Sequence, residues 1–230
     1  MKRGTLLRIH RAAGWADFRV EVRGGAYVLE ALEEAWRQDP TLLFRHSCHH
    51  GSCGTCGMRI NGRERLACLT PIAVIGDPGR PIRLEPLRNL PLIGDLLVDL
   101  SPLAQGIETT NLPLTRMVGD GDGDGTPVFP FVRFENCIEC GLCLSACPIA
   151  GHDPRYLGPA LLAAAGRIVQ EPRASDPGSA LAQVDREHGV WRCHAAFDCT
   201  EVCPTGVDPA GLILGLRGRL LAHARKGKAR

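Results

Sequence analysis

The sequence of 230 residues has few aromatic residues and little net charge, two features on which nucleic-acid-binding proteins depend. Aromatic residues make up only 5% of it, which leaves few rings on which nucleic-acid bases could stack. The formal net charge of +2 is too small to attract a polyanion strongly. We therefore expect no nucleic-acid partner.

Long apolar runs are also lacking. After Met1 the sequence alternates polar and apolar residues, whereas a secretory signal peptide carries an apolar stretch of roughly 7 to 15 residues. The best candidate for membrane burial, Leu157 to Gly166, is well below the roughly 20 apolar residues of a spanning helix. We expect neither an export signal nor a transmembrane helix, and a reducing compartment in which thiols stay available for metal.

Cysteine, by contrast, is abundant, with eleven residues in two unlike patterns. The first pattern has the spacing C-x4-C-x2-C followed by one distant cysteine, which is the plant-type arrangement for a 2Fe-2S cluster. Its members are Cys48, Cys53, Cys56 and Cys68. Gly51, Gly54 and Gly57 lie in the same loop, and residues without a Cβ let backbone N–H groups approach the cluster sulfurs.

The second pattern is a repeat. Its spacing, C-x2-C-x2-C-x3-C-P, is that of bacterial two-cluster ferredoxins, in which the fourth cysteine ligates the other cluster. The first copy is Cys137, Cys140, Cys143 and Cys147, followed by Pro148. The second copy is Cys193, Cys199 and Cys203, followed by Pro204, with Ala196 in place of the second cysteine.

Crossed ligation of the two copies predicts two different clusters. A 4Fe-4S cluster would be held by Cys137, Cys140, Cys143 and Cys203. The other site has only three thiols, Cys147, Cys193 and Cys199, and we predict a 3Fe-4S cluster there. Alanine has no lone pair for a fourth iron, so Ala196 marks the absent ligand. The alternative is that Ala196 is a small packing residue and that Asp198 or water supplies a fourth, poorly matched oxygen ligand.

Other uses of cysteine fit the spacings less well. A structural zinc site prefers paired C-x2-C knuckles or Cys/His mixtures. A disulfide framework suits short secreted chains with an even number of cysteines. A Rieske centre replaces two cysteines by histidine, whereas here His49 and His50 stand beside a complete set of four. We expect these two histidines to be solvated or to support the cluster from outside its ligand set.

The residues outside the cysteine patterns divide the chain into three parts. Residues 1–105 are predicted to form a small α+β domain similar to the β-grasp fold of plant-type ferredoxins. Its predicted elements are strands at Leu6–Ile9, Phe18–Val22 and Ile82–Leu84, a helix at Val28–Arg37 and a hairpin with Asn61 and Gly62 at its turn.

Residues 106–130 are predicted to be a linker or insertion loop. The acidic run Gly119 to Gly125 imitates the start of a calcium-binding EF-hand loop but lacks the glutamate at its twelfth position, so we expect it to be solvated. Residues 131–230 are predicted to form a helical domain around two clusters, with one helix at Tyr156–Gln170 and another from Pro209 onward, for which Asp208 is the predicted N-cap. The basic end, Arg217 to Arg230, is expected to be solvated and frayed, with contact to an anionic membrane as the alternative.

Three cysteine patterns in this order resemble the iron-sulfur subunit of the succinate:quinone oxidoreductases, the succinate dehydrogenases and fumarate reductases. The resemblance covers most of the chain. Outside the isolated cysteines it is carried by Phe44 to Cys48, Leu66 to Pro71, Leu90 to Asp99, Asp153 to Ala160, Arg192 to His194 and Cys203 to Pro209. It implies an N-terminal β-grasp plant-type ferredoxin domain followed by an α-helical bacterial dicluster-ferredoxin domain.

The resemblance also implies a complex of several subunits. In this family a flavoprotein partner with bound FAD oxidises succinate or reduces fumarate, and a membrane-anchor subunit, often a cytochrome, provides the quinone-binding site. This chain would pass single electrons from the flavin through the 2Fe-2S, 4Fe-4S and 3Fe-4S clusters to the quinone. It would hold no catalytic residue or dicarboxylate site of its own. It would lie on the cytoplasmic side of the cell membrane, attached through the anchor.

At the quinone end the sequence departs from the ubiquinone-reducing members of the family. Those members carry a serine after the Cys-Pro pair and a tryptophan shortly afterwards, where this chain has Ile149 and His152. His194 matches a family histidine near the quinone, and Pro148 lies beside Cys147. His152 either replaces the tryptophan as a hydrogen-bond donor or is a surface residue. We favour a menaquinone-type enzyme.

Three other functions are compatible with the sequence. The chain could be a free multicluster ferredoxin, it could serve another flavoprotein dehydrogenase or a heterodisulfide-type reductase, or it could be a zinc scaffold without a redox function.

Overall fold

The computed structural model describes residues 2–77, 79–110, 136–171, 174 and 176–228. They belong to two compact units. The first is Met1–Leu100 with Ile138–Ala146, and the second is Ser101–Cys137 with Cys147–Arg230. Most of the predicted insertion loop, with its acidic run Gly119 to Gly125, lies outside the described residues.

The secondary structure combines seven strands and eight α-helices among the described residues. The strands are β1 (Lys2–Arg11), β2 (Gly14–Arg23), β3 (Gly57–Ile60), β4 (Arg63–Leu66), β5 (Ile82–Glu85), β6 (Leu92–Gly94) and β7 (Leu97–Val98). The helices are α1 (Val28–Gln38), α2 (Ile72–Ile75), α3 (Ser101–Thr110), α4 (Leu142–Ala146), α5 (Gly158–Gln170), α6 (Pro177–Val184), α7 (Asp198–Glu201) and α8 (Pro209–Lys228).

The first unit is built on a mixed sheet with the strand order β2-β1-β5-β3-β4. Strand β1 pairs antiparallel with β2 and parallel with β5, and β3 pairs antiparallel with β4 and β5. Helix α1 packs against this sheet through its apolar side, where Val28 and Leu32 are fully buried. Alternate residues of β1, among them Leu7 and Ile9, are also fully buried, as a half-buried strand requires. This mixture of sheet and helix confirms the predicted α+β class.

The turn between β3 and β4 confirms the predicted hairpin. Ile60 pairs with Arg63, and the two residues between them, Asn61 and Gly62, have φ values of 51° and 82°. Two successive left-handed residues characterise the tight hairpin turn that an Asn-Gly pair favours. The hairpin of β1 and β2 is longer than predicted, because its pairing continues from Arg11 and Gly14 to Lys2 and Arg23, beyond the apolar positions that marked the strands.

The segment Ile138–Ala146 belongs to the first unit, whereas the sequence placed it in a helical domain spanning 131–230. Hydrogen bonds explain the difference. The Ser145 hydroxyl donates to the buried carboxylate of Glu64 at 2.9 Å, and it accepts from the backbone N–H of Arg88 at 2.9 Å. The Asn89 side-chain amide donates to the carbonyl of Leu144 at 2.9 Å. These contacts join residues far apart in the chain, so no local pattern predicts them.

The second unit is helical among its described residues. Its core lies between α5 and α8 and includes Leu162, Ala165, Ile213 and Leu216, each at most 1% exposed. Helix α5 begins at Gly158, two residues later than predicted, with Pro159 in its first turn, where a missing N–H costs nothing.

Helix α8 begins as the sequence predicts. The Asp208 carboxylate accepts from the backbone N–H of Gly211 at 2.9 Å, which satisfies a donor of the first turn. The helix continues to Lys228, so the prediction of a frayed basic end is wrong over this range. Within the described residues, no helix combines the length and the apolar character that crossing a membrane requires.

Two glycines provide a matched test of how tightly the cysteine loop of the first unit packs. Gly54 and Gly62 both have positive φ, 70° and 82°. A Cβ on Gly54 would lie 2.7 Å from the Cβ of Cys140 and 3.0 Å from the carbonyl oxygen of Ile138, whereas a Cβ on Gly62 would meet nothing within 4 Å. A left-handed alanine costs about 1–2 kcal/mol, and overpacking adds about 1–3 kcal/mol.

We therefore expect Gly54→Ala to lower the thermal unfolding midpoint of the iron-loaded chain at least twice as much as Gly62→Ala. Differential scanning calorimetry under anaerobic conditions measures both midpoints. Equal effects of the two substitutions would show that the loop does not press against Ile138 and Cys140.

Candidate iron-sulfur centres

The first set of cysteines lies in the first unit, on the loop before β3 and on a 3₁₀ turn at Ala67–Leu69. The structure shows two contacting pairs among these four residues, Cys48 with Cys53 and Cys56 with Cys68. The backbone N–H of Cys53 donates to Sγ of Cys48 at 3.3 Å. In the other pair Cys56 and Cys68 are 3% and 4% exposed, and the side chain of Cys68 hydrogen-bonds the thiol of Cys56.

The two pairs have opposite electrostatic environments. The backbone N–H of His50 and the thiol of Cys53 hydrogen-bond the sulfur of Cys48 and lower its pKa to about 6. Burial raises the pKa of Cys56 to about 12, with Cys68 adding to the effect. The partly exposed end of the set therefore favours the thiolate, which is the form that binds metal, whereas the buried end needs a cation to offset the loss of water.

The two histidines beside Cys48 turn in different directions. A ring nitrogen of His50 contacts the carbonyl oxygen of Cys48. The ring of His49 instead faces His46 and Glu33, with its Nε2 atom 3.1 Å from Nδ1 of His46 and 3.3 Å from Oε1 of Glu33. The sequence identified both residues and left their roles open, and the structure separates them.

A second set of thiols lies within the second unit. Cys147, Cys193 and Cys199 are close enough that the charges of Cys147 and Cys193 affect the ionisation of Cys199. Burial, with these two charges added, raises the pKa of Cys199 to about 11. Burial likewise raises the pKa of Cys147. These three thiols are the ones that the sequence assigns to a 3Fe-4S cluster.

Backbone N–H groups point at this second set. The N–H of Ala195 donates to Sγ of Cys193 at 3.4 Å, and the N–H groups of Ala150 and Ile149 stabilise the thiolate of Cys147. Ala195 and Phe197 have φ values of 53° and 65°, an uncommon left-handed conformation for residues with a Cβ.

Between these two residues lies the exposed Ala196, whose methyl group offers no donor atom. Asp198, the alternative oxygen ligand, is exposed at the start of α7, and its charge contributes to raising the pKa of Cys147.

Tyr156 is a functional candidate that sequence reasoning missed. Its side chain is buried, with 8% exposed, and its hydroxyl hydrogen-bonds the thiol of Cys193. Burial and the neighbouring sulfurs raise its pKa, so it is a neutral donor. The sequence analysis placed Tyr156 at the start of a predicted helix and within a segment that resembles the family, and no spacing connects it with a cysteine.

Two groups hold the Cys193 segment in place. The guanidinium of Arg217, on α8, donates to the carbonyls of Val190, at 2.6 and 2.9 Å, and Cys193. The buried carboxylate of Asp153 accepts from Nδ1 of His188 at 2.8 Å and pairs with Nε of Arg192 at 3.0 Å. Burial opposes ionisation of Asp153, but these partners outweigh it and lower the pKa of the carboxyl.

The remaining four cysteines are divided between the units. Cys140 and Cys143 belong to the first unit and Cys137 and Cys203 to the second. Both residues of the second unit pack against Ala163, Val207 and Leu212, an apolar cluster. Such surroundings exclude water from one side of the two thiols.

The three residues predicted near a quinone all lie at the surface of the second unit. His194, His152 and Pro148 are exposed, and His194 directly follows Cys193 in the chain. The backbone N–H of His152 donates to the carbonyl of Ile149 at 3.0 Å, which fixes the turn after Pro148.

The donor sets of both units suit iron-sulfur clusters. Thiolates are the ligands that these clusters require, and N–H groups directed at sulfur are the usual means of stabilising them. Both the set of Cys48, Cys53, Cys56 and Cys68 and the set of Cys147, Cys193 and Cys199 contain sulfurs that accept hydrogen bonds. Both sets also contain sulfurs that burial makes hard to ionise without a metal.

Known proteins with the same features confirm the cofactor class. Residues 6–105 match the family described as a 2Fe-2S iron-sulfur cluster binding domain. Residues 133–207 match the family described as a 4Fe-4S dicluster domain. The two matches also confirm the predicted order of a plant-type ferredoxin domain before a dicluster domain.

Relatives similar over most of the chain carry consistent names. The fumarate reductase iron-sulfur subunit of Mycobacterium tuberculosis is 42% identical over 82% of this chain and 78% of its own. The mitochondrial succinate dehydrogenase [ubiquinone] iron-sulfur subunit 1 of Oryza sativa is 33% identical over 84% of this chain and 71% of its own.

A solved structure agrees with them. A chain of the Mycobacterium smegmatis Sdh1 complex in the apo form superposes with a TM-score of 0.84 at 26% identity, covering 97% of this chain and 98% of that one. From the thiol sets, the order of the domains and these relatives, we conclude that the chain belongs to the family of iron-sulfur subunits of succinate dehydrogenase and fumarate reductase.

Proposed function

We propose that this subunit relays electrons between the FAD of a flavoprotein partner and a membrane quinone. The observation that carries the proposal is that the chain belongs to this family and brings together three thiols, Cys147, Cys193 and Cys199, besides the paired thiols of the first unit. When bound, the clusters would carry single electrons, and their reduction potentials depend on cluster type, hydrogen bonding and exposure.

The ligand assignment that we propose follows the spacing. Cys48, Cys53, Cys56 and Cys68 would hold the 2Fe-2S cluster, and Cys137, Cys140, Cys143 and Cys203 would hold the 4Fe-4S cluster. Cys147, Cys193 and Cys199 would hold the 3Fe-4S cluster. The proximity of the last three thiols supports their assignment, and the exposed methyl of Ala196 supports an iron corner without a protein ligand.

The chain's own residues would tune the clusters and exclude water from them. The N–H groups near Cys48, Cys147 and Cys193 stabilise negative charge on sulfur, and Tyr156 adds a hydroxyl donor from a buried position. Hydrogen bonds of this kind stabilise the more negative, reduced state and so raise the reduction potential.

The partners in this proposal are an FAD-containing flavoprotein subunit and a membrane-anchor subunit that binds the quinone. The names of the relatives support them, since succinate dehydrogenase and fumarate reductase subunits act in complexes. The subunit would then lie on the cytoplasmic face of the membrane and would hold no dicarboxylate site. The succinate or fumarate chemistry would take place on the flavoprotein.

At the quinone end we propose a site near His194, Pro148 and His152. All three are exposed. His194 directly follows Cys193 and Pro148 directly follows Cys147, two thiols of the three-membered set, and His152 lies on the turn that follows Pro148. An exposed histidine can donate a hydrogen bond to a quinone oxygen or relay a proton. The replacement of serine and tryptophan by Ile149 and His152 supports a menaquinone-type site.

The proposal is tested on the native complex, purified anaerobically through this chain. We expect an FAD-containing partner, three paramagnetic signals in a potentiometric EPR titration, and electron transfer between succinate or fumarate and a quinone. A chain purified without partners would support a free ferredoxin, and activity with thiols but not dicarboxylates would support a heterodisulfide-type reductase.

In the same complex, His194→Ala should lower quinone-dependent turnover at least tenfold while dye-linked succinate oxidation stays close to wild type. The matched control is His223→Ala, an exposed histidine on α8. Equal loss of both activities in the His194 variant would reject the quinone assignment.

Ala196→Cys should convert the 3Fe-4S signal into a 4Fe-4S signal, because it adds a thiolate at the position where the repeat lacks one. EPR of the oxidised protein measures the change, since the trinuclear resonance should disappear. Ala222→Cys, which adds a thiol on the exposed side of α8, should leave that resonance intact. An unchanged trinuclear signal in Ala196→Cys would refute the placement.

Tyr156→Phe should lower the reduction potential of the 3Fe-4S cluster, because it removes a hydroxyl donor to Cys193 and keeps the ring. The expected shift is on the order of tens of millivolts, given that about 59 mV corresponds to a tenfold change in a one-electron equilibrium. The control is Tyr27→Phe, since Tyr27 is the other tyrosine of the chain and is 40% exposed in the first unit. A potential that does not change, with cluster content intact, would contradict the role of the hydroxyl.

A further inference from the structure

Three donor atoms outside the cysteine patterns meet at one point on the first unit. They are Oε1 of Glu33 on α1, Nδ1 of His46 and Nε2 of His49 on the loop that follows. The two nitrogens are 3.1 Å apart, and Oε1 lies 3.3 Å from Nε2 of His49 and 3.5 Å from Nδ1 of His46. The same atom of each side chain takes part in both of its contacts, so the three atoms form a nearly equilateral triangle.

This triangle has the size of one face of a metal coordination polyhedron. Zinc binds imidazole nitrogen and carboxylate oxygen at about 2.0–2.2 Å, so two ligands at a tetrahedral or right angle lie roughly 3.0–3.5 Å apart. All three edges fall in that range. An ion slightly above the plane of the triangle would therefore reach all three donors without a movement of the side chains.

The chemistry of the donors selects the kind of ion. Two imidazoles and one carboxylate suit zinc and neighbouring divalent transition metals, whereas magnesium and calcium prefer oxygen alone. The side chains of Glu33, His46 and His49 are 23%, 38% and 46% exposed, so water can occupy the remaining coordination positions. Three protein ligands with an open position are typical of accessible zinc sites.

The fold holds the three side chains in this arrangement. Glu33 belongs to α1, and the neighbouring Leu32 is fully buried against the sheet. The ring of Phe44 stacks on His46, with centroids 5.2 Å apart. His49 has a φ of 61°, a left-handed conformation that turns its ring toward the other two residues while His50 faces the backbone.

We propose that Glu33, His46 and His49 form a binding site for one divalent transition-metal ion, with Zn²⁺ as the probe. The site shares no ligand with the predicted clusters, because its donors are two nitrogens and an oxygen and include no cysteine sulfur. His46 and His49 flank Cys48 in the chain, so an ion bound there would lie near the proposed 2Fe-2S centre.

The affinity test uses the full chain with its clusters loaded, so that no cysteine set is left open to zinc. Zn²⁺ is titrated under anaerobic conditions in competition with a chromophoric chelator, and iron is measured in every sample. We expect one site with a Kd below about 10 μM. His49→Asn, which keeps a residue tolerant of positive φ, and Glu33→Gln, which keeps a hydrogen-bonding group, should each weaken binding at least tenfold.

The matched control is His50→Asn, which removes the neighbouring imidazole from outside the triangle and should bind zinc as wild type does. If zinc does not bind at about 100 μM, or if His49→Asn and Glu33→Gln bind it normally, the three residues are only a hydrogen-bonded group and the proposal is wrong. Equal weakening in His50→Asn would also overturn it.

The position is tested independently with Co²⁺, a paramagnetic ion that takes similar ligands. Bound at the triangle, it should broaden the EPR signal of the reduced 2Fe-2S cluster in the wild type and in His50→Asn but not in His49→Asn. One equivalent of bound Co²⁺ that leaves this signal unchanged would place the ion elsewhere and reject the site.

Discussion

The arrangement of the second unit depends on the cost of placing several negative sulfurs close together away from water. Cys147 and Cys199 are each 9% exposed, and Cys193 lies within range of both. Burial opposes the ionisation of each buried thiol, and every thiolate that forms makes the next one harder to form. A bound cation removes both costs, because its charge offsets the sulfurs and its bonds replace their water. Metal binding and the ordering of the residues around these three thiols are therefore coupled. The metal neutralises the charge of the sulfurs only in part, and the surrounding hydrogen-bond donors stabilise the charge that is left.

Backbone N–H groups are among the donors that stabilise the negative charge on these sulfurs, and the backbone conformation that directs them at sulfur has to be held in place. The N–H of Ala195 reaches Cys193 where Ala195 and Phe197 both adopt a left-handed conformation, which costs about 1–2 kcal/mol per residue with a Cβ. The residues just before Ala195 are held by two groups: Arg217 binds the carbonyls of Val190 and Cys193, and Asp153 binds His188 and Arg192. The polar network thus has a function that a purely apolar core could not provide, since it fixes the direction of N–H groups as well as the position of the chain. Tyr156 extends the same principle to a side chain.

In the first unit the cost of ionising the thiols differs between the two pairs of cysteines. Hydrogen bonds lower the pKa of Cys48 to about 6, whereas burial raises that of Cys56 to about 12. One part of the set therefore offers a thiolate at neutral pH, and the other keeps the site dry. Tight packing accompanies this division, because a Cβ on Gly54 would lie only 2.7 Å from the Cβ of Cys140 and 3.0 Å from the carbonyl oxygen of Ile138. Gly54 therefore meets two needs at once, because it has a positive φ and it also allows the loop to approach Ile138 and Cys140 closely.

What the sequence predicted and what it missed follow from the range of the interactions. The cysteine spacings, the hairpin at Asn61 and Gly62 and the cap at Asp208 are local, since each places its partners within a few residues, and the hairpin and the cap match the structure. Glu64 and Ser145 are 81 residues apart, and Asp153 and His188 are 35 apart, so neither pair leaves a periodic trace. The same limit concealed Tyr156, whose partner Cys193 lies in another segment, and it concealed the meeting of Glu33 with His46 and His49. Spacing identifies the atoms that can bind a metal, whereas the residues that set the properties of the metal are brought to it by the tertiary fold.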